Sequence, residues 1–207
     1  MSAKKGVLIV FEGTDGTGKS TQLSLLEKYL QNNDYPIVTT REPTEGKYGQ
    51  QIRKLYMQRD SLTPREELEL FLADRKEHID NVINPSLASG KIVLCDRYFL
   101  STVAYQGAIG FDIDELISLN NFAPSPDIAL LFYAPLDTGK KRITEGRGDS
   151  LNDFEQIENL QKVATIFNSL TLAYIQRINA QGSIKDIHAK VVSHVLPIIS
   201  STLQKSE

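Results

Sequence analysis

The chain has 207 residues, of which 41% are hydrophobic, and its 23 Lys and Arg against 26 Asp and Glu leave a formal net charge of −3. That length fits a single domain, residues 1–207, with a substantial core. The near-balance of charge argues against the strongly basic surface of a nucleic-acid binder. The one cysteine, Cys95, excludes an intrachain disulfide and suits a reducing, cytoplasmic setting. No secretory leader and no membrane span is visible, so a membrane partner is not expected.

In chain order, the first strand is predicted near residues 6–12, in the apolar run Val7-Leu8-Ile9-Val10-Phe11. The next residues are Gly13-Thr14-Asp15-Gly16-Thr17-Gly18-Lys19-Ser20, a complete G-x-x-x-x-G-K-[ST] phosphate loop, and a helical stretch begins at Thr21. Strand, loop and helix N-terminus together are what the motif requires. In that arrangement backbone N–H groups curl around phosphate oxygens, Lys19 reaches the β- and γ-phosphates, and Ser20 ligates Mg²⁺. The pattern points to a nucleoside triphosphate, against the bland reading of a Gly-rich turn with an exposed lysine.

A second strand is predicted near 36–40 and opens into the polar segment Thr40-Arg41-Glu42-Pro43-Thr44-Glu45-Gly46. The stretch Leu68 to Arg75 follows a helical pattern. Phe71 and Arg75, four apart, share a face and suit an aromatic base, although a core Phe beside a solvated Arg is the reading the residues favour by themselves. The third strand, near 91–95, carries Cys95 as a buried structural thiol and ends in Asp96-Arg97-Tyr98. Asp96 is placed to hold Mg²⁺ or its water, or else to cap the turn. Arg97 is placed to grip two phosphate oxygens at once, or else to form an ordinary ion pair. A fourth strand is predicted near 127–133. The segment 142–152 contains a polar, Gly-containing break with Arg142 and Arg147, readable as a lid over a transferring phosphate or as a solvated loop. A fifth strand is predicted near 182–187, and a last helix over 191–203 that Pro197 kinks or ends. His78, His188 and His194 lack metal-ligand spacing and are taken as surface or helix-packing residues. Alternating strands and helices predict an α/β fold, a P-loop NTPase-type parallel sheet of about five strands with helices on both faces. Ligands then gather at the carboxyl ends of the strands.

Four blocks in this order give the chain a family likeness: Phe11-Glu12-Gly13 through Ser20-Thr21, Thr40-Arg41-Glu42-Pro43, Phe71 with Ala73 and Arg75, and Asp96-Arg97-Tyr98 followed by Ser101-Thr102 and Ala104-Tyr105-Gln106-Gly107. The chain resembles the thymidylate kinase family, bacterial type, over nearly its whole length. The resemblance implies transfer of phosphate from ATP to dTMP with Mg²⁺, giving dTDP, in a cytoplasmic homodimer. It implies that residues 13–21 hold ATP, with Arg142 packing on adenine. It further implies that Asp15 contacts the acceptor 3′-hydroxyl, that Glu42 and Pro43 lie along the acceptor pocket, and that Arg53 joins Arg97 at the acceptor phosphate. Phe71 then stacks on thymine, Arg75 bonds its O4, Thr102 and Gln106 read the base edge, and Tyr105 packs on the deoxyribose. With Gly16 in place of a phosphate-loop arginine, the resemblance assigns catalytic charge to the lid, Arg147 before Arg142, alongside Lys19, Arg97 and Asp15. The family's Gly-Gly after the second block is here Thr44-Glu45-Gly46-Lys47, which leaves the acceptor rim and base preference open. The alternatives are a kinase for another deoxynucleoside monophosphate, a GTP-dependent switch, for which no Asn-Lys-x-Asp segment is found, and a non-catalytic nucleotide-binding module.

Overall fold

A computed structural model of the chain describes residues 6–57, 62–135, 137–138 and 153–203. The first strand, β1 (Val7–Gly13), is buried at every position. This is what a continuous apolar run becomes at the centre of a parallel sheet covered on both faces. The others are β2 (Ile37–Arg41), β3 (Ile92–Asp96), β4 (Ile128–Tyr133) and β5 (Ile175–Asn179), in the order β2-β3-β1-β4-β5. All four pairings are parallel. Register aligns the strand ends, because Phe11 and Arg41 both pair with Asp96. The segments after β1, β2 and β3 therefore leave the sheet at one edge.

Alternation along the strands builds two cores. Leu8, Val10, Val93, Cys95, Ala129 and Leu131 face one side. That side is covered by α3 (Pro64–His78), α4 (Asn84–Ala88), α5 (Phe99–Ala108), α6 (Ile113–Leu119) and α7 (Asp153–Ser169). Val7, Ile9, Phe11, Ile92, Leu94, Leu130 and Phe132 face the other, against α1 (Lys19–Asn32) and α8 (Ile184–Leu203). The remaining helix, α2 (Lys47–Met57), packs on α3. Thr63 and Glu66 form a reciprocal cap for α3 with Pro64 in its first turn. Between α3 and α4 lies one π-helical turn, Ile79–Ile83. It comes just before Pro85, whose missing N–H and bulky ring a regular α-turn does not accommodate.

Two predicted elements need correction. The fifth strand is Ile175–Asn179, and residues 184–187 instead begin α8. Ile187, Val191, Val195 and Ile199 form its buried stripe at four-residue spacing, which is a helical period and not an alternating one. Helix α8 also runs through Pro197 without ending there. The buried stripe on either side of the proline supplies packing that offsets one lost backbone hydrogen bond. Among the described residues no helix is long and apolar enough to cross a membrane.

Candidate active site

The phosphate loop leaves β1 through Gly13, at φ +128°, where a Cβ would come within 2.2 Å of the Phe132 carbonyl oxygen. It enters α1 through Gly18, which is left-handed (φ 86°) and offers the helix no side-chain cap. The first N–H groups of α1 thus belong to a loop shaped for an anion. Thr17 Oγ1 and Lys19 Nζ both donate to the Thr14 carbonyl at 2.8 Å, which closes the loop. Lys19 is buried. Burial, and then the Arg97 charge, push its ammonium down to a pKa of about 8 against partial support from Asp15, Asp96 and Glu12.

At the end of β3, Asp96 accepts from the Ser20 hydroxyl at 2.7 Å. A hydroxyl and a carboxylate side by side at the loop's edge are hard oxygen donors of the kind Mg²⁺ takes. No group of three or more His, Cys, Asp or Glu clusters for a metal among the described residues. A Mg²⁺ completed by phosphate oxygens and water does not require such a cluster. Cys95 is buried, its Sγ–H donates to the Arg97 carbonyl at 3.0 Å, and burial pushes its thiol pKa up. It is a structural thiol, as expected.

Arg97 has a left-handed backbone (φ 68°). It donates to Asp15 Oδ1 at 2.8 Å and to Ser101 Oγ at 2.9 Å, and its guanidinium lies 5.2 Å from the Tyr105 ring centroid. One side chain therefore links the phosphate loop to α5. Glu12, just before that loop, is fully buried, and its carboxyl pKa is pushed up to about 7 by that burial, against hydrogen bonds from Ser101 and Tyr98 and the Arg97 charge.

Behind the segment after β2, Glu42 accepts from Arg75 Nε at 2.9 Å and Nη2 at 2.6 Å, and its other oxygen meets His78 Nδ1 at 3.0 Å. Arg75 also donates to Asn120 Oδ1 at 2.6 Å and to Thr102 Oγ1 at 3.0 Å. Arg75 is 1% exposed, so the solvated arginine favoured by the residues alone is corrected. Its charge is matched by a buried carboxylate, which lets it leave water. Phe71, taken on the same reading as core, is only half-buried and lines the cleft. His78 is buried and joins Glu42 to Thr40 Oγ1, 2.7 Å away. It and Asn120 belong to the site's frame, although neither had a sequence signal beyond helical placement.

Arg53 donates to the carbonyls of Pro43, at 2.8 Å, and of Thr44, and to Glu45 at 2.7 Å. Glu45 also takes a hydrogen bond from Arg41. The Thr44-Glu45-Gly46 segment has its own anchor in Asp74, buried on α3, which accepts from Thr44 N at 2.9 Å and Thr44 Oγ1 at 2.6 Å. The side chain of Gln106 is buried, its Nε2 donates to Glu67 at 3.5 Å, and its Oε1 has no partner among the described residues.

These residues surround a cleft of about 1130 Å³, larger than a pocket for a single small ligand. Lining it are the phosphate-loop residues Asp15 to Thr21, Arg41, Glu42, Pro43 and Arg53, Phe71 and Arg75, Asp96 and Arg97, and Thr102, Tyr105 and Gln106. Gly182, Ile184 and Ile187 line it as well. Sequence reasoning missed these three because it placed them on a strand. Gly13 and Thr14 start the loop behind the lining. Arg142, Arg147 and the whole 142–152 lid segment lie outside the described residues.

The Thymidylate kinase family profile matches residues 11–191. The chain belongs to the thymidylate kinase family. A thymidylate kinase of Desulfotalea psychrophila is 53% identical over 199 residues, covering 96% of this chain and 98% of the relative. A probable thymidylate kinase of Pyrococcus horikoshii is 40% identical over 200 residues, covering 92% and 96%. A thymidylate kinase of Xanthomonas oryzae pv. oryzae is 43% identical over 192 residues, covering 91% and 84%. Membership thus spans β1 to α8, the elements that carry both ends of the cleft.

Proposed function

We infer that this thymidylate kinase family member moves the γ-phosphoryl group of ATP onto dTMP, giving dTDP and ADP. The observation that carries the reading is Arg97, which bridges Asp15 of the phosphate loop and Ser101 of α5. A cation at that junction, beside the phosphate loop and on the side of α5, is placed to hold an acceptor phosphate next to the donor's. Phosphoryl transfer asks the protein for positioning and charge more than for covalent chemistry.

In this reading residues 13–21 cradle the donor phosphates, with Lys19 on the transferring group. Ser20 and Asp96 hold Mg²⁺, which, when bound, neutralises charge that develops on the phosphates. Gly182, Ile184 and Ile187 supply a wall for the donor base at the phosphate-loop end. Arg97 and Arg53 take the acceptor phosphate, Asp15 the sugar hydroxyl, and Tyr105 the deoxyribose face. Glu42 and Pro43 line the acceptor side, with Glu42 acting through Arg75.

The base preference is supported by two features of the α3–α5 end. Four of Arg75's five N–H groups are committed to Glu42, Asn120 and Thr102, so one remains to donate to a base carbonyl. Gln106 Oε1 is a buried acceptor that lacks a donor among the described residues. A pyrimidine with a 4-carbonyl and an N3–H complements both, whereas cytosine reverses both. A lid carrying Arg147 and Arg142 is supported by the Gly-containing basic segment in the sequence and by the family likeness, and a homodimer by the likeness.

The reading is tested by coupled ADP release with dTMP, dUMP, dCMP and dGMP as acceptors. The highest kcat/KM is expected for dTMP and the lowest among pyrimidines for dCMP. Preferred turnover of dCMP or dGMP would overturn the base assignment.

A further inference from the structure

Glu12 is fully buried near the end of β1, yet it reaches across to the turn after β3. Its Oε1 accepts from the backbone N–H of Tyr98 at 2.9 Å and of Ser101 at 3.3 Å, and its Oε2 accepts from the Ser101 hydroxyl at 2.5 Å. Tyr98 is the N-cap residue of α5 and gives it no side-chain cap. Above about pH 7, where Glu12 is mostly ionised, its carboxylate satisfies two N–H groups at that helix start and places negative charge at its positive end. The Ser101 hydroxyl has one proton. With that proton committed to Glu12, its lone pairs are turned to Arg97 Nη1, 2.9 Å away. Arg97 itself has a left-handed backbone, a conformation that surrounding contacts must hold in a non-glycine residue. Burying a carboxylate is costly, and every hydrogen bond that offsets the cost here ends on the Arg97 turn or on the serine that orients its guanidinium.

We propose that Glu12 is a positioning residue for the acceptor: through Tyr98 N–H and the Ser101 hydroxyl it fixes the geometry with which Arg97 grips the acceptor phosphate. The proposal rests on the reading of Arg97 as the acceptor-phosphate grip. It predicts an asymmetry. Loss of Glu12's carboxylate weakens the acceptor and leaves the donor nearly untouched, although Glu12 directly precedes the phosphate loop and not the acceptor pocket.

The test is a double-mutant cycle read as equilibrium dissociation constants for dTMP and, separately, for a non-hydrolysable ATP analogue. Glu12→Gln keeps the shape, but its amide donates where the carboxylate accepted, which turns the Ser101 proton toward Arg97. Glu12→Gln is expected to weaken dTMP by about ten- to a hundredfold, the scale of a charge-assisted hydrogen bond. The ATP analogue should change by less than about threefold, within ordinary context dependence. In an Arg97→Ala background the Glu12→Gln effect on dTMP should nearly vanish. Unchanged dTMP affinity, equal losses for both ligands, or a full-sized effect without Arg97 would each overturn the proposal. If Glu12→Gln does not fold, Ser101→Ala breaks the same relay at the hydroxyl, and the same asymmetry is required of it. If Arg97→Ala alone leaves dTMP affinity intact, the reading of Arg97 fails. If Arg97→Ala weakens dTMP and Glu12→Gln does not, only the role of Glu12 fails.

Discussion

Lys19 is held where a positive charge is least welcome until phosphate arrives. Burial lowers its pKa from 10.5 to about 8, with the Arg97 charge adding to the effect. Between about pH 8 and 10.5 the folded chain holds fewer protons at this site than the unfolded chain, so its stability contribution rises with pH across that window and the cost is in full force below it. Phosphate oxygens at Nζ reverse the balance and restore the charge. ATP binding at pH 8 should therefore take up about half a proton at Lys19. Binding enthalpies measured in buffers of different ionisation heat, compared between wild type and Lys19→Met, read this directly. Equal slopes for the two proteins would contradict it. Lys19, Ser20, Asp96 and Arg97 were legible in the sequence because each sits at a fixed offset from a strand end. Glu12, His78 and Asn120 were not. Each acts on a residue 36 to 89 positions away across the fold (Glu12 on Ser101, His78 on Glu42, Asn120 on Arg75), and one sequence carries no trace of such pairing. The state of Arg75 turned on the same hidden partner: without Glu42 beside it, a solvated arginine was the sensible reading.

Four of the five strands fall within a few residues of their predicted positions: β1, β3 and β4 are apolar runs long enough to show, and β2 shows by its β-branched Ile37-Val38-Thr39-Thr40. The fifth failed at Gly182-Ser183-Ile184. Ser183 Oγ accepts from Asp186 N–H at 3.1 Å and donates to the Asp186 carboxylate at 2.6 Å. A Ser-x-x-Asp spacing ahead of an apolar stripe signals a helix start, and the isoleucines after it are three apart. Strand β5 itself is mixed and only partly buried, so it gives a weaker signal than the helix that follows. Because the start of α8 also lines the cleft, Ser183→Ala should lower stability by about 1 kcal/mol and weaken ATP more than dTMP. Chemical denaturation with KM measurements checks both. An unchanged midpoint would contradict a capping role for Ser183.

At the scale of the molecule, the arrangement follows from strand order. With β1 central and β3 and β2 stacked in register on one side of it, the phosphate loop, the Asp96-Arg97 turn and the Arg41–Pro43 segment are brought to one edge. Helices α3 and α5, on the face shared by β1 and β3, then close the acceptor end with Phe71, Arg75, Thr102, Tyr105 and Gln106. A buried ion pair at Glu42 and Arg75 joins that end to the sheet edge. In the proposed reaction this cleft passes a phosphoryl group between two nucleotides and withholds it from water. This transfer is tested most directly by following γ-labelled ATP, Mg²⁺ and dTMP with the purified protein and identifying where the label goes. Label in dTDP, matched one for one by ADP, is the predicted result. Label released as inorganic phosphate, or label transferred to another monophosphate while dTMP stays unmarked, would contradict it.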